Sequence, residues 1–259
     1  MKKNLYFLYN LGIELIKSSL FGIFFFLSFA FGKYVTSFGL MLGDFMFISV
    51  VFIQIILITT QYESWKECKI ILIYHILGFI MEAFKTHPAI GSWHYQYMGF
   101  FTLLSVPLYS GFMYSAIGSF LFQAMHRLKL QFEYFPKFII AIPIVSLIYI
   151  NFFTHHFIYD IRYFLIFLIV IVTYKTYTYF TIEGIQYRMH TLLNLLLAAC
   201  CIWVAENMAT FLGVWLYPNQ EGSWSPVSIH KLLSRFLLFI LSAVIVSYFM
   251  RDTIHYKKI

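Results

Sequence analysis

Residues 38–60 read FGLMLGDFMFISVVFIQIILITT, with one ionisable side chain, Asp44, among twenty-three residues. A helix needs about 20 mostly apolar residues to cross a hydrocarbon core of about 30 Å. This stretch meets that length, and comparable runs lie on both sides of it. Of the 259 residues, 61% are hydrophobic and 11% are charged, whereas a soluble domain has roughly 25% charged residues. A water-soluble fold is therefore excluded. The expectation is all-α: a polytopic transmembrane helix bundle filling one integral membrane domain, 1–259.

Eight spans are expected, near 11–31, 38–60, 69–86, 103–125, 136–153, 157–174, 191–215 and 232–250. Residues 174–190, YKTYTYFTIEGIQYRMH, are too polar to span and read as a helix extension with an interfacial turn. Near the N-terminus Ser28-Phe29-Ala30 resembles a cleavage site, but the polar lead with Glu14 and Lys17 is long for a signal peptide. The first helix reads as retained. No internal repeat, low-complexity tract or flexible linker is visible.

The formal net charge is +7, but the Lys and Arg residues punctuate apolar runs and form no nucleic-acid arm. They act instead as topology signals. With the N-terminus inside, twelve fall on the cytoplasmic side: Lys2, Lys3, Lys66, Lys69, Arg127, Lys129, Lys137, Lys175, Arg188, Arg251, Lys257 and Lys258. Five fall outside (Lys33, Lys85, Arg162, Lys231 and Arg235), and Lys17 lies within the first helix. Both termini are therefore expected in the cytoplasm of a multi-pass protein of the bacterial cytoplasmic membrane. Cys68, Cys200 and Cys201 have no metal-type spacing and read as packing cysteines.

The chemistry-bearing residues gather toward the outer side, and the inner half reads as bland. In EAFKTHPAIGSWHYQ, Glu82 lies thirteen residues beyond Lys69, a rise of roughly 20 Å. In WVAENMAT, Glu206 lies fifteen residues beyond Thr191, a rise of roughly 22 Å. Tyr109 and Tyr114 descend on the fourth span from the outer side, Tyr109 to about the same level, and Lys85 and His87 follow Glu82. Trp203, Glu206, Asn207 and Thr210 share one helical face. Intramembrane carboxylates usually face the interior and find partners, either as a structural network or as a functional site. The convergence of the set favours a cavity, with Glu82, Glu206, Lys85, His87 and Tyr109 as catalytic candidates. Trp93, Tyr95, Tyr114, Asn207 and Trp224 are the substrate-binding candidates.

No metal is expected, since no ligand spacing of a known kind occurs; His155, His156 and Asp160 are the weak candidates. His75 reads as a satisfied core histidine, and Asp44 as a partner for Lys33. No cofactor is implied.

The strings EAFKTHPAIGSWHYQ, VPLYSGFMYSAIGS and AENMATFLGVWLYPNQ resemble the YoaT-type bacterial membrane proteins, a family classed as domain of unknown function 817. That resemblance implies a multi-pass membrane protein and no particular activity. Glu82, Gly91, Tyr95 and Val106-Pro107 are similar in order to a motif of membrane carotenoid hydratases. That likeness implies Glu82 as the acid toward an isoprenoid alkene, and Glu206 as the group that stabilises the cation or positions water. Lys85 and His87 depart from it.

Three readings follow. One is an enzyme acting on a lipophilic, isoprenoid-like substrate through paired carboxylates. The second is a proton-coupled transporter, which a matching polar cluster in the inner half would favour. The third is a binding or assembly protein. The expected partners are the lipid bilayer and a lipophilic small molecule, with no nucleic acid.

Overall fold

The computed structural model of the chain describes residues 2–252 and 255–257. Lys258, counted above among the inner charges, lies outside the described residues. The described chain is mostly helical, with nine α-helices: α1 (Lys2–Ser18), α2 (Leu20–Val35), α3 (Leu42–Thr59), α4 (Trp65–Lys85), α5 (Ser110–Arg127), α6 (Phe138–Thr154), α7 (Arg162–Thr173), α8 (Thr191–Leu212) and α9 (Lys231–Phe249). Four segments are long and apolar enough to cross a membrane: Leu20–Phe38, α3, α8 and α9. The twelve residues of α7 rise only about 18 Å.

Besides the short α7 in the expected span 157–174, two expected spans and the 174–190 segment take another form. The run 11–31 is not one helix. The hydroxyls of Ser18 and Ser19 bond back to the carbonyls of Glu14 and Leu15, both at 2.8 Å, and the helix breaks at Ser19. Such back-bonding competes with the helical ladder. On α1, Glu14 pairs with Lys17 at 2.6 Å and with Arg127 at 3.7 Å. The charges that made this stretch a poor span thus neutralise one another outside α2.

The run 103–125 begins with a hairpin rather than a helix. Strands β1 (Thr102–Leu103) and β2 (Val106–Pro107) pair antiparallel. Leu104 and Ser105 form the turn with φ of 52° and 59°, a left-handed pair that suits the twist of a two-residue hairpin.

The 174–190 segment is also a hairpin, not a helix extension. Strands β4 (Tyr177–Ile182) and β5 (Ile185–His190) pair in full register around Glu183-Gly184. Both turn residues have positive φ. Side chains along β4 alternate between half-buried and buried, the period of a one-faced strand. Adding β3 (Gln131–Glu133) and β6 (His255–Lys257) gives a four-stranded sheet in the order β5-β4-β3-β6.

The chain packs as two compact units. The first contains α1, the C-terminal part of α5, α6, α7, the first half of α8, α9 and the four-stranded sheet. Its apolar centre lies among α6, α7 and α9 around Ile148, Leu165 and Leu237. The second unit comprises Leu20–Ser119 and Trp203–Ser228, with Phe29, Met46, Val50, Val106 and Tyr109 at its core.

In the second unit, α4 positions the site. Ser64 caps its N-terminus, its side chain accepting from the Glu67 amide at 3.2 Å, and the Thr86 hydroxyl closes its end on the Glu82 carbonyl at 2.8 Å. One face is buried: Glu67, Ile70, Ile71, Tyr74, Gly78, Met81, Glu82 and Lys85, at helical intervals. Opposite lies α5 with Gly111, Ser115, Gly118 and Ser119, all buried. Small residues let helix backbones approach closely. Gly78 faces the Tyr114 ring, Gly118 faces the Tyr74 ring, and Gly111 faces the His75 ring.

Asp44 does not pair with Lys33. Its Oδ1 accepts the Phe101 amide at 2.9 Å, while Lys33 Nζ donates to the Leu212 carbonyl at 2.7 Å. The loop after α4 is thereby pinned to the start of α3, where Gly43 lies against the Met98 backbone.

Candidate functional site

Glu82 is 2% exposed, and three side chains converge on its carboxylate. Trp93 Nε1 donates to Oε2 at 2.8 Å, and the Tyr95 hydroxyl donates to the same oxygen at 2.6 Å. The Tyr114 hydroxyl donates to Oε1 at 2.6 Å. Trp93 and Tyr95 come from the loop after α4, and Tyr114 from α5. An indole N–H can only donate, so Oε2 is the acceptor toward Trp93. Burial, followed by the charge of Glu82, pushes the Tyr95 hydroxyl well above its ordinary range.

Glu206, on α8, is also buried, at 4% exposure, and it accepts the hydroxyl of Tyr217. The Tyr217 ring meets the Trp93 ring edge-on at 6.1 Å. Backbone hydrogen bonds of 3.0 and 2.9 Å between His94 and Leu216 tie the two loops together beside this contact. The two carboxylates, matched in depth from the sequence, are thus linked through one aromatic pair. Tyr109 stands against Tyr95 edge-on at 5.9 Å. It is fully buried, and its hydroxyl has no hydrogen-bond partner.

The other candidates divide. Lys85 is buried on the Glu82 face of α4. His87 is exposed, and its Nδ1 accepts the Ala89 amide at 3.2 Å in the turn after α4. Asn207 and Trp224 fasten a loop: Asn207 Oδ1 accepts the Val227 amide at 2.9 Å, and Trp224 Nε1 donates to Thr210 Oγ1 at 3.1 Å. Trp203 joins them by donating to the Val227 carbonyl at 3.1 Å. Of the polar face on α8, only Glu206 points at the aromatic pair. The rest holds residues 213–228 in place.

His155 and His156 lie ring to ring at 4.1 Å, and His155 and Asp160 both reach Asn151. Among the described residues, no three His, Cys, Asp or Glu side chains stand as metal ligands would. Asp160 accepts Asn151 Nδ2 at 3.1 Å, the Arg162 amide at 2.9 Å and Arg162 Nε at 2.5 Å. His155 Nδ1 is 2.7 Å from the Asn151 carbonyl. These groups form the turn leading into α7.

A second acidic cluster lies at the other end of α4, the end that read as bland. Glu63 and Glu67 are 2% and 0% exposed. Ser119 Oγ lies 2.7 Å from Glu63 Oε1 and 3.2 Å from Glu67 Oε1, and Gln54 Nε2 donates to Glu63. Burial pushes the Glu63 carboxyl up, against the opposing bonds from Ser119 and Gln54. The Ser64-x-x-Glu67 spacing is that of a helix-capping box and carries no sign of the contact with Ser119. His75 also differs from its reading, because its buried Nδ1 has no partner.

Four membrane-capable helices define a helical membrane protein, and its second unit holds a buried site of carboxylates and aromatic rings. The chain belongs to the family described as Protein of unknown function (DUF817), which matches residues 7–243. It is similar to the Uncharacterized protein YoaT of Bacillus subtilis (strain 168), 42% identical over 204 residues, covering 79% of this chain and 76% of that relative. No solved structure matches.

Proposed function

We propose that the second unit holds an enzyme site for a lipophilic, isoprenoid-like substrate, at which Glu82 and Glu206 handle positive charge and a proton. The observation that carries this reading is the three-donor grip on Glu82 inside an aromatic shell. Donors fixed on a carboxylate favour its ionised form. Aromatic faces attract cations. A standing anion ringed by Trp93, Tyr95 and Tyr109 suits a transition state in which a hydrocarbon becomes positive.

The division of labour reverses the one implied by the carotenoid-hydratase likeness. Glu82, held by three donors, is the poorer acid and the better electrostatic partner. Glu206 is then the carboxyl that gives a proton to the alkene and takes one back from the water that adds to the cation, so the product gains one water, following the rule that environments separate paired carboxylates into distinct roles. The unpartnered Tyr109 hydroxyl is the place for a water molecule or a substrate oxygen. The setting is the bacterial cytoplasmic membrane, and the twelve-to-five charge bias supports both termini inside.

The test is lipid mass spectrometry on bacterial membranes that contain isoprenoids and express the chain. Wild type is expected to yield a product of altered mass, absent with Glu82→Gln and with Glu206→Gln. Tyr114→Phe, which preserves the carboxylate, is expected to reduce it. Identical profiles in all four membranes overturn the proposal.

A further inference from the structure

Buried polar groups line the contact of α4 and α5 along its length. Ser119 meets Glu63 and Glu67. One turn on, the Ser115 hydroxyl lies 3.1 Å from the Ile71 carbonyl. A further turn on, a Cβ at Gly111 would stand 2.5 Å from His75 Nδ1. These contacts run antiparallel and share one register, so Ser110 falls within a turn of His75. Tyr109 follows beside the Glu82 site. Ser110 and Tyr109 are both 0% exposed, and Ser110 Oγ, Tyr109 Oη and His75 Nδ1 are buried without a hydrogen-bond partner. Leaving three such atoms unsatisfied in one region is unfavourable. Buried polar atoms of this kind are ordinarily satisfied by internal water.

We propose that the α4–α5 contact is a proton route, joining the Glu63–Glu67 pair to the Glu82–Glu206 site through water held at His75, Ser110 and Tyr109. This rests on the acid–base reading of that site and names how its proton is replaced. Glu67, Ile71, His75 and Glu82 are four, four and seven residues apart, so the first two steps rise about 6 Å and the last about 10 Å. One or two waters bridge each short step, and Ser110 and Tyr109 break the long one. In each transfer the proton leaves one oxygen for the next. His75 accepts at one ring nitrogen and releases from the other, so no net charge stays on the route.

The experiment is radiolytic hydroxyl-radical labelling of the full chain in lipid nanodiscs, read residue by residue by mass spectrometry. Residues beside internal water are oxidised even when shielded from bulk solvent. His75 and Tyr109 are expected to label at least ten-fold faster than the buried controls Phe29 and Phe239. Labelling at the control rate overturns the route. In the lipid assay above, His75→Leu and His75→Gln are both expected to slow product formation at least ten-fold, in protein with an unchanged melting temperature. Wild-type rates in both also overturn the route, while leaving the Glu82–Glu206 reading intact. Rapid labelling with lipid profiles unaltered by Glu82→Gln supports the route and removes the enzyme.

Discussion

Glu67 and Glu82 stand on the same helix, fifteen residues apart, and both are buried. Fifteen residues rise about 22 Å and turn the second side chain only about 60° from the first, so one face of α4 carries both. Their surroundings differ. Glu82 has three aromatic donors in place. Glu67 shares the Ser119 hydroxyl with Glu63. That hydroxyl has one proton to give, and it lies within bonding range of two carboxyl groups. The helix therefore carries a carboxyl group gripped by three donors near one end and, near the other, one that shares a single hydroxyl with Glu63 of the preceding turn.

The grip on Glu82 has a cost when its chemistry changes. Glu82→Gln replaces one acceptor oxygen by an amide that can only donate, facing a Tyr hydroxyl or an indole N–H. The expected loss is about 1–3 kcal/mol, the cost of a buried unsatisfied donor. Tyr114→Phe removes one donor and is expected to cost about 1 kcal/mol. Thermal unfolding in detergent, with both variants beside wild type, measures the order of the two effects.

Gly78 should be intolerant of any side chain. A Cβ there would run into the Tyr114 ring, the ring whose hydroxyl holds Glu82. Gly78→Ala is expected to destabilise by about 1–3 kcal/mol through overpacking. It should also weaken the Tyr114–Glu82 bond, so combining it with Tyr114→Phe should cost less than the sum of the two. A double-mutant cycle on melting temperatures tests the coupling.

Glu63 makes stability depend on pH in a stated direction. Burial holds its carboxyl above the usual glutamate range, so the folded chain keeps a proton that the unfolded chain has lost. Stability then falls as pH rises from the usual range through the raised value. Glu63→Gln cannot lose a proton and should flatten that slope. A melting series across mildly acidic to neutral pH would reject the assignment if both proteins gave parallel curves.

Asp160 works in the opposite sense. Burial alone would raise its carboxyl, but Asn151 and Arg162 outweigh burial and hold it below the usual range. Its stabilisation is present above the ordinary aspartate range and is lost as pH falls through the lowered value. Asp160→Asn should melt earlier than wild type at neutral pH and together with it in strong acid.

Asn207 is expected to matter for a loop rather than for charge. Its side chain accepts the Val227 amide, and Trp203 and Thr210 hold neighbouring points of the same loop. Asn207→Ala should speed hydrogen exchange across residues 213–228 while leaving the α4–α5 amides protected. Equal exchange in both proteins would remove Asn207 from that role.

Runs of apolar residues such as 38–60 show by themselves that the chain holds membrane-capable helices, because hydropathy and length are local properties. The types of side chain in the site were also legible. Glu82, Tyr95, Tyr109, Tyr114 and Glu206 stand out as polar groups in apolar surroundings. Hydropathy alone missed the break at Ser19 and the hairpin at Glu183-Gly184, since both depend on backbone hydrogen bonds and turn angles rather than on polarity. Only the tertiary structure decided which polar groups meet. Trp93 reaches Glu82 because a loop folds back over α4, and Tyr217 reaches Glu206 because that loop pairs with another through His94 and Leu216. Glu63 and Glu67 became a cluster only when α5 brought Ser119 between them. A hydrogen bond depends on distance and angle between groups far apart in the chain, and no linear pattern of residues contains either.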